Sequence, residues 1–204
     1  MSEPAGAARI IRIIDGTPRV IEDRWRLIDT AAQWEADEPA DDHAKLPAAV
    51  RADAQAGKPT AHSAGPILVP LELALAHPQR LKVRDPARPI GLWLAPADDP
   101  ARARELFASI SLIGVVFPKF TDGRGYSTAV LLRTRLGWRG ELRALGDVLQ
   151  DQLYALRRVG FDSFAVRADR DPVAAMEGFA AFSSAYQGSV DEPLPAFRRP
   201  GAHP

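Results

Sequence analysis

Most side chains able to do chemistry lie in one stretch, Phe117 to Asp151, which reads FPKFTDGRGYSTAVLLRTRLGWRGELRALGDVLQD. Its first part, Lys119 to Ser127, is a loop running into a helix start. Gly123 and Gly125 let the backbone approach a ligand closely. The free N–H groups and positive dipole end of a following helix favour an anion. Lys119 and Arg124 add charge, and Tyr126 and Ser127 offer hydroxyl donors. A small oxyanion such as sulfite, sulfate or phosphate suits these groups. A structural account of the same residues also stands. Asp122 and Ser127 make turn and cap bonds, the glycines supply positive φ, and the cations lie in solvent.

Two carboxylates, Asp147 and Glu141, are the candidates for handling a proton. Each has a structural alternative. Asp147 stands three residues before Gln150, a capping-box spacing. Glu141 and Arg143 share one face of a strand under its two-residue period. They form either a pair pointing into a polar pocket or the wet face of an edge strand. Asp151 reads as a solvated helix position.

Several classes of chemistry are poorly supported. With no cysteine, the chain has no thiolate nucleophile, disulfide or cysteine-ligated cluster. His43, His62, His77 and His203 are scattered without metal-ligand spacing, so no metal is expected. No histidine is placed to serve Ser127 or Ser163 as base. Gly123 and Gly125 match two glycines of the dinucleotide fingerprint, but Thr128 stands where the third belongs. No cofactor is identified. Lys plus Arg equals Asp plus Glu, 26 each, so no net field draws the protein to nucleic acid or to an anionic membrane. Trp93 and Trp138 read as packing residues rather than a stacking platform. No apolar run approaches the ~20 residues of a membrane span, and the start lacks a leader pattern, which predicts a cytoplasmic protein.

The elements that position these residues follow from apolar runs and punctuation. RIIRII, Asp15-Gly16 and TPRVIED predict a hairpin with strands at 8–14 and 18–24, since type I′ turns need positive φ at both central positions. Trp25, Leu27, Ile28 and Trp34 are expected to cover one face of it. Residues 35–66 are rich in Ala, Pro and Asp and read as a linker with a short helix near 47–55. ILVP then predicts a short strand and a helical turn ending at His77-Pro78. From Pro89 a regular alternation begins. Strands are expected at 90–96, 112–117, 141–146 and 161–166. Helices start at Asp99-Pro100, about Gly125, Asp147 and Asp171-Pro172.

Four consecutive strand–helix units argue for an α/β fold with a mostly parallel sheet, either open and doubly wound or partial-barrel-like. The strand at 67–70 is a candidate fifth member. The N-terminal hairpin is expected as a separate antiparallel piece. The resulting division is a hairpin annex at 1–34, a linker at 35–66, an α/β domain at 67–186 and a Pro-rich tail at 187–204. In either architecture, function belongs at the carboxyl ends of the parallel strands.

The run F-P-x-F-x-D-G-R-G-Y-S, then L-L-R, G-E-L-R-A, G-D-V-L-x-D-Q and G-F-D-x-F, over residues 117–164, resembles bacterial domain-of-unknown-function family 934. Members are commonly labelled as oxidoreductases of sulfite reduction. The resemblance implies a place in assimilatory sulfite or sulfate reduction, with sulfite reductase or a neighbouring sulfur-assimilation enzyme as partner. It carries over Asp122, Gly123, Arg124, Gly125, Tyr126, Ser127, Glu141, Arg143, Asp147, Asp151 and Gln152, with no role assigned to any of them. Two function classes follow. One is an enzyme or enzyme component acting on a sulfur oxyanion at 119–127. The other is a non-catalytic adaptor of the sulfite reductase system.

Overall fold

The computed structural model describes residues 8–36, 65–82 and 88–199. The helix expected near 47–55 lies outside the described residues. Eight strands are found among the described residues: β1 (Arg9–Ile14), β2 (Thr17–Glu22), β3 (Arg26–Leu27), β4 (Ile67–Pro70), β5 (Ile90–Leu94), β6 (Leu112–Phe117), β7 (Glu141–Gly146) and β8 (Ser163–Phe164). They form one sheet in the order β2-β1-β8-β7-β6-β5-β4-β3. From β3 to β8 every neighbour pair is parallel, while β1 runs antiparallel to both β2 and β8.

The parallel strands follow one another in sequence order with no reversal. A doubly wound sheet reverses its order at a switch point, so the partial-barrel alternative describes this chain. The sheet must also curl. β2 and β3 are its opposite edges, yet only Asp23, Arg24 and Trp25 separate them in sequence. Four residue steps span at most about 14 Å, whereas eight flat strands would hold their edges roughly 34 Å apart. The strands therefore bend into a half-barrel, and residues 23–25 strap its two edges together.

This topology revises two expectations. The hairpin forms as read, with Asp15 and Gly16 at φ of 50° and 77°, but it is not a separate piece, because Ile11 and Arg12 pair with Phe164 and Ser163. Nor do Trp25, Leu27, Ile28 and Trp34 together cover one face of the hairpin, since Trp25 packs in the separate cluster of Leu68, Leu112 and Leu145. They lie at or beyond the strap, where Ile28 and Trp34 are buried in the main core and Leu27 is exposed.

The α-helices among the described residues are α1 (Ala31–Ala36), α2 (Leu71–Ala76), α3 (Pro78–Lys82), α4 (Arg124–Val130), α5 (Leu153–Arg158) and α6 (Pro172–Ala175). Asp99 and Asp171 cap as expected, accepting from the N–H groups of Ala101 and Val173, with proline next in each case. The segment after Asp99 is a 3-10 helix over Pro100–Ser109 rather than an α-helix. Its buried residues, Pro100, Ala103 and Leu106, recur every three positions, the period of a 3-10 helix. α4 continues as a π-turn over Leu131–Arg135, and the helix after Asp171 passes into a 3-10 turn at Met176–Ala180.

The two faces of the sheet differ. Val69, Leu92, Leu94, Ile113, Val115, Phe117, Leu142, Ala144 and Phe164 belong to the large core that includes Ala129, Leu132, Leu153 and Leu156 of the helices. Leu68, Leu112 and Leu145 form a second cluster with Trp25, Trp93, Val116 and Ala165 on the other, inner face. Glycines there make room for large neighbours. A Cβ on Gly91 would lie 2.6 Å from Leu68 and 3.1 Å from Trp25, and one on Gly114 would lie 2.5 Å from Leu145. The inner face is a packed interior, as in other small barrels.

Candidate functional site

The structure divides the candidate residues between two places. Lys119, Asp122, Gly123, Arg124, Gly125, Tyr126, Ser127 and Asp147 gather at the carboxyl rim, after β6 and β7. Glu141 and Arg143 begin β7, where Glu141 pairs with Leu112 at the amino end of β6. Glu141 lies about 17 Å and Arg143 about 10 Å along the strand from Gly146, and both point to the inner face with Leu145.

β7 lies between β6 and β8, so the wet-edge account of Glu141 and Arg143 is corrected. Arg143 is 2% exposed. Its guanidinium donates to Glu141 (2.7 and 3.2 Å), to Ser163 Oγ (3.2 Å) and to Asp23 Oδ1 (2.8 Å). The Ser163 hydroxyl donates to Glu141 Oε1 at 2.6 Å, and Arg12 approaches Glu141 Oε2 at 3.2 Å. Asp23, on the strap, also accepts from the Trp25 N–H at 3.1 Å. Buried charges persist when they are paired and hydrogen-bonded in this way. The network ties β1, β7, β8 and the strap together. It is a polar plug rather than an open pocket. Asp23 and Ser163 are the members that sequence spacing missed, because they lie 120 and 20 residues from Arg143.

At the rim, Asp147 is not a helix cap. Its Oδ2 accepts from the Phe120 N–H (2.8 Å) and its Oδ1 from Arg167 Nη1 (2.9 Å). The helix that follows is started instead by Gln152, whose Oε1 accepts from the Leu149 N–H at 2.9 Å. The capping spacing is real but displaced by two residues, because Gly146 at φ 94° turns Asp147 toward the β6 loop. That turn needs glycine, since a Cβ there would lie 2.4 Å from the Phe117 carbonyl. Gln152 is 6% exposed and reaches the Phe120 carbonyl with its Nε2 at 3.4 Å.

The rim arginines are engaged. Asp122 accepts from Arg124 Nε (3.0 Å), Nη2 (2.7 Å) and backbone N–H (3.1 Å). The Arg124 guanidinium holds the Asp122 carboxyl below its usual range, and Asp122 raises Arg124 in turn. Arg167 grips Asp169 through Nε (2.6 Å) and Nη2 (3.0 Å) while holding Asp147. Asp169 and then Asp147 raise the Arg167 guanidinium, and Arg167 lowers Asp169. Lys119 and Ser127 are exposed. Tyr126 is half-buried and packs edge-on against Phe117 at 5.6 Å. Burial pushes its hydroxyl up, a hydrogen bond with Gln152 offsets part of the rise, and the Asp151 charge adds to it. Gly125 is required by packing, since a Cβ there would strike the Phe117 ring at 2.5 Å.

A groove of about 790 Å³ adjoins the rim between Leu149–Asp151 and the α6 segment, lined by Asp169, Asp171 and Glu177 among others. Asp169 and Asp171 are held by Arg167 and Arg9. Among the described residues, no three His, Asp or Glu side chains come together as a metal site. No helix among them is long and apolar enough to cross a membrane.

Residues 91–197 match the family model described as "Bacterial protein of unknown function (DUF934)". No curated protein and no solved structure matches the chain.

Proposed function

The chain belongs to the bacterial protein family of unknown function DUF934, and on that premise we propose that it is an accessory protein of the assimilatory sulfite reductase system, docking on its partner through the carboxyl rim. One observation carries this reading: the rim is built to hold a surface in shape. The inner face is filled by Trp25, Trp93, Leu68, Leu112 and Leu145 together with the Arg143 plug. Arg124 and Arg167, the groups suited to grip an oxyanion, each hold a carboxylate of the same chain. An incoming sulfite would have to displace Asp122 or Asp169, exchanging one charge-assisted pair for another. The place of the partner in sulfur assimilation rests on what the resemblance of residues 117–164 implies.

The test is a titration of purified full-length chain into purified assimilatory sulfite reductase, read by light scattering after gel filtration. A complex of fixed stoichiometry is expected, while the chain alone gives no heat with sulfite, sulfate or phosphate. No complex at micromolar concentration would sink the reading.

A second reading keeps the 119–127 loop as an oxyanion site with Asp147 as proton acceptor. It is favoured by Lys119, which has no carboxylate partner among the described residues, and by Gly123, beside which a Cβ would meet open space. Saturable sulfite binding, lost in Lys119→Ala, would support it.

A further inference from the structure

We propose that Phe120, with Lys119 beside it, is the docking knob of this rim, and that Asp147 and Gln152 are the positioning residues that hold it. Its partner surface is an apolar pocket bordered by a carboxylate. The inference rests on the accessory-protein reading above and names the chemistry of the surface it invokes.

Two phenylalanines three residues apart are treated in opposite ways. Phe117 is 1% exposed and packs against Tyr126 and Phe161. Phe120 is 42% exposed, and among the described residues no aromatic ring pairs with it. The backbone of Phe120 is nevertheless fixed on both sides. Its N–H donates to Asp147, and its carbonyl accepts from Gln152. Both holders are themselves held. Arg167 fixes Asp147 and is braced by Asp169, while the Leu149 N–H fixes the buried Gln152.

A loop tip in water needs none of this, because solvent satisfies its backbone. What the arrangement achieves is an aromatic ring presented outward on a rigid backbone. Such a ring loses little conformational entropy on binding, and exposed aromatics are the usual centres of interface energy. The electrostatics select the partner. Asp122 is matched by Arg124, and Asp147 and Asp169 share Arg167. Lys119 is left as an exposed cation with no carboxylate among the described residues, so a carboxylate beside the receiving pocket completes the fit.

The C-terminal segment supplies an internal control. Phe182, Tyr186 and Phe197 are more exposed than Phe120, but they stack within the chain, Phe182 with Tyr154 at 5.0 Å and Tyr186 with Phe197 at 5.9 Å.

The experiment uses the full chain against purified assimilatory sulfite reductase, with the dissociation constant measured by calorimetry. Phe120→Ala is expected to weaken binding about 30-fold, as loss of a central aromatic anchor does. Lys119→Glu slows association about tenfold at low salt, and the loss shrinks as salt rises. Asp147→Ala weakens binding about fivefold, the cost of ordering one loop tip. Asp147→Asn, which keeps an acceptor for the Phe120 N–H, restores it. Phe182→Ser leaves affinity unchanged. Wild-type affinity in Phe120→Ala overturns the knob while the accessory reading stands. A wild-type chain that forms no complex overturns both.

Discussion

Two ion-pair networks in this molecule use the same residue types under different physics. Inside the half-barrel, Arg143 binds Glu141, Asp23 and Ser163 with almost no exposure to water. At the carboxyl rim, Arg124 and Arg167 bind Asp122, Asp147 and Asp169 with side chains 61% and 39% exposed. In the interior, each partner depends on the others, because a lone buried charge has no water to turn to. At the rim, water and salt can replace any partner, so the pairs fix loop shape while adding little to stability. The contrast separates two roles that looked alike in one 35-residue stretch: Glu141 and Arg143 hold the fold closed, and Asp122 and Asp147, with Gln152 just beyond it, shape a surface.

Substitutions test the contrast from its strongest side first. Arg143→Leu leaves half-buried Asp23 without its guanidinium and Glu141 with only Arg12 and Ser163, and is expected to cost about 3–5 kcal/mol in urea denaturation. Arg124→Leu, at the exposed rim, is expected to leave the midpoint within error. Equal midpoint shifts for the two would abolish the distinction. Gly146→Ala sets a side chain at φ 94° against the Phe117 carbonyl, and about 1–3 kcal/mol of destabilisation is expected. A neutral result would mean that the turn after β7 relaxes freely.

Smaller effects sharpen the rim. Asp147→Ala removes the acceptor for Phe120 and is expected to cost about 0.5–1.5 kcal/mol. Its clearer signature is faster amide exchange at Phe120, roughly tenfold, with exchange in β6 and β7 unchanged. The smallest effect is in acid. Asp122 and Asp169 are both held below the usual carboxylate range by their arginines. A depressed folded-state pKa adds stability above the unfolded value of about 3.9, and that stability is lost as pH falls through the lower folded value. Between pH 5 and 8 the rim pairs should therefore not change, and carbon-detected NMR should place both midpoints below 3.9. A midpoint for either at or above that value would show that the ion pairs do not persist in solution.

Local signals were legible wherever neighbours in sequence are also neighbours in space. β6 and β7 begin and end where their apolar runs do, at Leu112–Phe117 and Glu141–Gly146. Asp99-Pro100 and Asp171-Pro172 cap as proline-led helix starts should. The Asp-Gly turn folds the first hairpin. Helix type was less legible. The stretches after Asp99 and Asp171 carry 3-10 turns, and α4 ends in a π-turn, because the spacing of buried contacts overrode the 3.6-residue expectation.

The sequence by itself determined the family, the α/β alternation, the parallel strands and the loop where polar residues accumulate, since each is written among residues close together along the chain. Only the tertiary structure decided that β1 joins β8, that a three-residue strap draws the edges together, and that Asp23 meets Arg143 across 120 residues. It also decided that Asp147 serves Phe120 rather than its own helix. The reason is physical. Closing a curled sheet is a property of all eight strands at once, and partners for buried charge are chosen by that closure, not by distance along the chain.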